Sequence, residues 1–250
     1  MLTKKEIIKN LKKIKIREKY IIIHSDITGL IFNNFSIKQL WKIIFETFGK
    51  KKVYIFPTFT FSNKNKIWNY SSTKSETGIL SEFFRKKISI KRTIHPIHSV
   101  AIFGKNNCKN LNHDSASSFG KGSIWEWLCN SKDVCNISLG LNLKGGATFC
   151  HFSEEKTNVR YRKYKDLDFK IIGKDKKIIN KKFTYFARNL KFKRLKNDWS
   201  KVEKDLIKHK MIEEFIFPEN NYRVIKMNTH RVTNFLLNRL KKNSNYLIKN

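Results

Sequence analysis

The stretch TFCHFSEEKTNVRYRKYK, Thr148 to Lys165, sets a thiol (Cys150), an imidazole (His151) and two carboxylates (Glu154 and Glu155) close together ahead of a run of cationic side chains. If His151 opens a helical turn, Glu154 and Glu155 at i+3 and i+4 both come within reach of its ring. A carboxylate that accepts the imidazole N–H fixes the tautomer and raises the basicity of the other nitrogen, which makes a general base worth roughly 10² to 10⁴ in rate. The plainer alternative is a helix whose early carboxylates complement its dipole. A metal site of Cys150, His151 and Glu154 is weaker, because it needs ligands on different faces of one helix.

Other candidate groups are spread along the chain. In RTIHPIHSV, Pro96 disfavours helical backbone before it, so His95 and His98 lie on an extended segment. They are either structural histidines or two metal ligands, and a third ligand at sensible spacing is missing. SSFGKGSIWEW offers Gly120, Lys121, Gly122 and Ser123 before a helix but lacks the upstream glycine of a Walker loop. Either Ser123 only caps the helix, or the turn and helix N-terminus also attract an anion. Further polar residues follow apolar runs: His24, Ser25 and Asp26 after the first, Pro57, Thr58 and Thr60 after the second, and Gly140 after a later one. Ligands of open α/β sheets gather outside the carboxyl ends of strands, so these groups predict one composite site.

The elements that must hold them are marked by capping boxes and apolar runs. Thr3 with Glu6, Ser36 with Gln39, Ser123 with Glu126 and Ser200 with Glu203 each predict a helix start. Ile37, Leu40, Trp41, Ile44 and Phe45 share one helical face, and Val232, Phe235, Leu236 and Leu240 share another between Asn228 and Lys241. YIIIHS from Tyr20, VYIFPTFTFS from Val53, SVAIFG from Ser99 and VCNISLG from Val134 read as strands covered on both faces. Strand, helix and strand across Tyr20 to Pro57 have βαβ spacing. FKIIGKDKKIINKKFTYFA and FIFPENNYRVIKM read as later hairpins. The expected fold is α/β, a three-layer α/β/α sandwich around a mostly parallel, mixed sheet with a hairpin-rich C-terminal part. No linker interrupts the chain, so residues 1–250 are expected to form one domain.

Composition narrows the partners. The 250 residues carry a net charge of +33, which would suit nucleic acid by counterion release. No nucleic-acid recognition motif accompanies it, however, and Lys, Ile and Asn dominate everywhere, as codon bias would give. The charge therefore favours small polyanions gathered at a cleft. No apolar run reaches the roughly 18 residues of a membrane helix, and the N-terminus is charged throughout, so a cytoplasmic protein without membrane contact is expected. Cys108, Cys129, Cys135 and Cys150 form no Cys-x-x-Cys pair and read as reduced thiols.

Taken in order, HSD at His24, FPTFT at Phe56, RTIHPIHSV at Arg92, FGKGSI at Phe119 and LGLNLKGGATFCHFSEE at Leu139 resemble the aminoglycoside 3-N-acetyltransferase family, also called antibiotic N-acetyltransferase-like. The resemblance implies a fold other than GNAT and direct transfer of acetyl from acetyl-CoA to a small-molecule amine in a ternary complex, without a metal. It makes His151 the general base and Glu154 the carboxylate that orients it, with Glu155 as a local alternative. Ser25, Thr58, His95 and Ser99 would surround the cofactor, with Arg92 and Lys121, and also Lys91, as phosphate partners on charge grounds. Thr148, Glu155 and Asp26 would face the acceptor. Asp26 departs from the second serine of the family's HSS element, and Ile124 from its frequent proline. HSVAIFG and VRYRKYKDL look more like members that act on amino sugars in polysaccharide synthesis. An aminoglycoside resistance enzyme and a basic nucleic-acid binder with an inactive acetyltransferase fold are the competing expectations.

Overall fold

In the computed structural model, which describes residues 2–30, 35–63, 65–104, 111, 113–192 and 194–249, the hydroxyls of Thr3 and Ser36 accept the N–H of Glu6 and Gln39, and both boxes close reciprocally. They open α1 (Lys4–Leu11) and, after β1 (Tyr20–Ser25), α2 (Ile37–Phe48). The chain continues through β2 (Val53–Pro57), β3 (Ile67–Asn69), α3 (Ile79–Lys87), β4 (Lys91–Arg92) and β5 (Val100–Phe103). Next come α4 (Ile124–Asn130), β6 (Val134–Leu139), α5 (Leu143–Gly146) and α6 (Cys150–Lys156). A long hairpin of β7 (Arg162–Ile172) and β8 (Ile178–Arg188) leads to α7 (Trp199–Lys208), then β9 (Ile212–Phe217), β10 (Tyr222–Asn228) and α8 (Thr229–Lys242).

The main sheet runs β4-β5-β2-β1-β6-β10-β9, and β3-β7-β8 form a second, smaller sheet. In the main sheet only β1 with β2 and β1 with β6 pair in parallel; the four outer pairings are antiparallel. The sheet is thus mixed, as expected, but not mostly parallel: its parallel part is confined to the three central strands, and hairpin-type pairings build both edges. β1 shows why the fold has two cores. Ile22 packs into the layer with α4, α6, α7 and α8, while Ile21 and Ile23 face α1, α2 and α3, the two-residue alternation of a strand. All three are fully buried, each a gain of roughly 1.5–3 kcal/mol. Both C-terminal hairpins form as expected, β7 with β8 and β9 with β10.

Two helix starts differ from expectation. α7 is capped by Asp198, whose carboxylate accepts the N–H of Lys201. Ser200 lies inside the first turn, and Glu203 is drawn away to the Leu143 N–H and the Arg223 guanidinium. At α4, Ser123 caps as expected, but Glu126 receives the Gly122 N–H instead of completing the box. The VYIFPTFTFS strand stops at Pro57, beyond which the backbone turns irregularly. α3 had no expected counterpart, because Gly78 offers no side-chain cap. Among the described residues no helix is long and apolar enough to cross a membrane.

Candidate active site

The carboxyl ends of β1 and β6 lie level, with His24 opposite Ser138 and Ser25 opposite Leu139. Beyond β6 the chain turns at Gly140 (φ +69°), where a Cβ would lie 2.4 Å from the Asp26 carbonyl oxygen, and Tyr222 donates its hydroxyl to that same oxygen. Asn136 and Ser138 donate to the Gly146 carbonyl at 2.7 Å each, which ties α5 down to the sheet. This brings Thr148 over β1, with its Oγ1 3.1 Å from His24 Nε2. Ser25 Oγ is buried without a hydrogen-bond partner among the described residues, and burial, against a smaller opposing contact with Asn136, lowers the His24 pKa to about 4.

α6 follows directly and answers the question posed by Thr148 to Lys165: the helix ends at Lys156, and the cationic run continues into β7. His151 Nδ1 lies 2.5 Å from Glu154 Oε2. The His151 side chain is 30% exposed while that of Glu154 is wholly buried. Arg162 Nε stands 2.8 Å from the same oxygen and its Nη2 3.1 Å from His151 Nδ1. Asn197 donates to Glu154 Oε1 at 3.3 Å. Burial alone would raise the pKa of Glu154, but the His151 charge and hydrogen bond, together with Arg162, outweigh it and hold the carboxyl at about 2. As an ionised acceptor, Glu154 takes the Nδ1–H of His151, which leaves Nε2 as the basic nitrogen. Phe119 and Trp199 flank the ring edge-on.

The two histidines of RTIHPIHSV belong to a different device. His95 Nδ1 accepts the N–H of Ile97 and His98, so its proton is on Nε2, 3.2 Å from Ser118 Oγ. Ser118 Oγ in turn lies 2.7 Å from His98 Nδ1. Burial lowers His95 to about 4, and burial followed by the charges of His95, His151 and Arg162 pushes His98 well below its ordinary value. The pair is therefore neutral; the backbone N–H groups set the tautomer of His95, and Ser118, accepting from His95 Nε2, donates to Nδ1 of His98 and sets the other. Among the described residues no three His, Cys, Asp or Glu side chains converge to hold a metal ion.

A cavity of about 690 Å³ opens above these strand ends. His24, Ser25, His98, Thr148, His151, Arg162 and Arg188 provide its polar wall, and Phe59, Phe61, Ile97, Phe119 and Phe186 much of its apolar one. No carboxylate is among the described residues that line it. Of the residues singled out in the sequence, His24, Ser25, Pro57, His98, Thr148 and His151 reach the cavity, and Glu154 lies directly behind His151. Thr58, Ser99 and Arg92 come together elsewhere. Arg92 Nε donates toward Thr58 Oγ1 and Ser99 Oγ, and its two Nη groups toward the carbonyls of Thr58, Thr73 and Tyr70. Its guanidinium stands 4.7 Å over the Trp68 ring, and burial brings its pKa down to about 9. These bonds make Arg92 an internal brace and commit its donors to protein oxygens instead of phosphate. Lys121 is exposed on the turn before α4, and Asp26 is exposed with its carboxylate on the Thr28 N–H and hydroxyl. Glu155 turns away from His151 to Ser117 Oγ at 3.4 Å, and burial raises its pKa. Cys129, Cys135 and Cys150 are free and buried, their thiols pushed up by burial, while Cys108 lies outside the described residues. A buried neutral thiol is no nucleophile. Arg162, Arg188, Asn197 and Ser118 had no sequence signal, since each meets its partner through the fold alone.

The mixed α/β sandwich with an imidazole–carboxylate pair at its strand ends suits acyl transfer, and solved structures share the fold. The YokD protein from Bacillus subtilis superposes with a TM-score of 0.76 at 16% identity, covering 97% of this chain and 100% of that one. The aminoglycoside acetyltransferase AAC(3)-Xa gives 0.80 at 12% identity (98% and 94%), and AAC-IIIb with CoASH gives 0.76 at 11% (96% and 97%). No curated protein matches by sequence. A profile of the aminoglycoside 3-N-acetyltransferase family matches residues 22–235, and the chain belongs to that family. It is an N-acetyltransferase that uses acetyl-CoA.

Proposed function

We propose that the chain N-acetylates an amino sugar, with His151 as general base and Glu154 as the residue that positions it. The observation that carries this reading is the contact of His151 Nδ1 with buried Glu154 on the wall of the cavity. Acetyl-CoA supplies the activated acyl carbon. The acceptor attacks as its neutral amine, the extra proton of its ammonium form having gone to solvent; His151 Nε2 takes a proton from the nitrogen as it attacks and passes that proton to the departing sulfur. Amine and thioester thus become amide and thiol with the ring restored. Ser25 Oγ, buried and without a partner among the described residues, is a hydroxyl available to the oxygen on which charge develops. Thr148, fixed on His24, lines the same space.

The acceptor class rests on charge. A polycationic aminoglycoside would meet a cavity with no carboxylate among its described lining residues, in a protein of net charge +33. The structural likeness to sisomicin-bound AAC-VIa favours the drug as a second reading. One assay separates the two: thiol release from acetyl-CoA with a panel of amino sugars and with kanamycin, for the wild type and His151→Ala. Turnover of an amino sugar that falls at least roughly 10²-fold in His151→Ala, with acetyl-CoA binding unchanged, supports the proposal. Turnover of kanamycin alone overturns the amino-sugar assignment, and near wild-type activity in the variant removes His151 from the role.

A further inference from the structure

Positive charge outnumbers negative charge around Glu154. That carboxylate already answers Arg162 and the His151 ring, and a second guanidinium, Arg188 at the end of β8, has no ion pair of its own among the described residues. Arg188 is nonetheless held in place. Its Nη2 donates to Asn197 Oδ1, and the guanidinium stands 5.2 Å over the Tyr161 ring. Its Nη1 is buried with no hydrogen-bond partner among the described residues. Burial first, and then the charge of Arg162, lower its pKa, as fits a cation whose neighbours do not neutralise it. Arg188 lines the cavity that holds His151, and also a neighbouring one of about 630 Å³ lined by Lys144, Lys196 and Lys249 and by the carboxylates of Asp198, which caps α7, and Glu203, which is paired with Arg223. A buried donor without a partner is costly to keep. A planar guanidinium fork in that state suits an oxyanion, which can answer both the charge and the open donor.

We propose that Arg188 receives a phosphate or carboxylate carried by the acceptor, so that the amine substrate is an anionic amino sugar. The word acceptor rests on the N-acetyltransferase reading; the anion site itself does not. Acetyl-CoA also carries phosphates, but a long pantetheine arm separates them from its thioester. Arg188 is joined to Glu154 through Asn197 alone, and Glu154 touches His151. Arg188 and His151 line one cavity, so an anion on Arg188 shares the space in which the acceptor meets the thioester end of the donor.

The test is calorimetric titration of inorganic phosphate, pyrophosphate and glucosamine 6-phosphate into the wild type, Arg188→Gln and Arg188→Lys, each with and without saturating CoA, at about 150 mM salt to screen diffuse surface attraction. Anion binding that persists in the CoA-loaded wild type, and weakens roughly ten- to a hundredfold in Arg188→Gln with a smaller loss in Arg188→Lys, supports the proposal. Equal binding in wild type and Arg188→Gln overturns it, as does absence of anion binding to the CoA-loaded wild type. Binding that CoA abolishes assigns Arg188 to the donor's phosphates and also overturns it. That competition is read in the wild type alone, so it decides even if a variant fails to fold. Anion binding as expected with no amine acetylated would sink the enzymatic reading and leave the site standing.

Discussion

Glu154 lies one turn beyond His151 on α6, wholly buried, with its Oε2 2.5 Å from the ring Nδ1. Its sequence neighbour Glu155 bonds instead toward Ser117. One carboxylate therefore fixes the imidazole, and Arg162 offsets its charge, so Glu154 orients the ring without standing as an unpaired buried anion. Exchanging Glu154 for Gln keeps the shape but allows an amide nitrogen to face Nδ1, which favours the wrong tautomer. Glu154→Gln should lower kcat by roughly 10² or more with little change in KM. Steady-state kinetics of the variant check this, and a loss confined to KM would remove Glu154 from the positioning role.

Arg162 is the third member of that cluster. Arg162→Met leaves Glu154 buried beside a single ring and should destabilise the fold by about 3–5 kcal/mol, as expected when one partner of a buried ion pair is removed. The double variant Arg162→Met with Glu154→Gln should recover part of that loss, because no buried charge is then left unmatched. Urea unfolding of the two single variants and the double variant measures the coupling; additive losses would refute it.

Acid should weaken the fold in two stages. His24 and His95, ordinarily at 6.5, are each held at about 4 by burial, and His98 is pushed down for the same first reason. The unfolded chain therefore binds these protons before the folded one does. Their contribution to stability is complete above pH 6.5 and drains away as pH falls toward 4. Glu154, lowered from 4.5 to about 2, adds a second loss between those values. Unfolding midpoints measured from pH 8 to pH 3 should drop steeply below pH 6.5, and the slope between pH 6.5 and 4 should be shallower in His95→Gln. A flat profile across that window would show that the buried histidines do not titrate as described.

The sequence is legible where chemistry depends on local spacing. His151 and Glu154 are three apart on one short helix, Thr3 and Ser36 cap through their own first turns, and the β1–α2–β2 unit follows from apolar runs of the right length. It is silent where contacts join distant segments. Arg162 meets His151 only because α6 gives way to β7, and Arg188 reaches Asn197 and Tyr161 across a hairpin and a turn. Charge misled at Arg92: in sequence it is one cation among many, but β4 turns it inward under Trp68, where carbonyls satisfy it. Ser200 was a plausible cap two residues after the better one, Asp198.

That reading of Arg92 separates stability from binding. Arg92→Met should cost about 2–4 kcal/mol, since it strips charge-assisted bonds from the Thr58 and Thr73 carbonyls and from the paired hydroxyls of Thr58 and Ser99. Acetyl-CoA affinity of the protein that remains folded should be unchanged. Thermal unfolding and calorimetric titration of the same variant give both quantities. A large loss of affinity with stability intact would restore Arg92 to a phosphate.

Two glycines with positive φ offer a controlled comparison of strain with overlap. At Gly122 (φ +77°) an added Cβ meets nothing within 4 Å, so Gly122→Ala should cost only the left-handed backbone, about 1–2 kcal/mol. At Gly140 (φ +69°) the same atom would lie 2.4 Å from the Asp26 carbonyl oxygen and 2.8 Å from the Tyr222 ring. Neither neighbour can yield freely, because the Tyr222 hydroxyl is bonded to that carbonyl and the Asp26 N–H is bonded to Leu139. Gly140→Ala should therefore destabilise by at least about 1–3 kcal/mol more than Gly122→Ala. It should also reduce turnover in the protein that remains folded, because relief of the clash must displace the end of β1 that carries His24 and Ser25. Denaturant midpoints together with kcat for both variants decide the point: equal costs would mean that the β1–β6 junction is looser than its close contacts require.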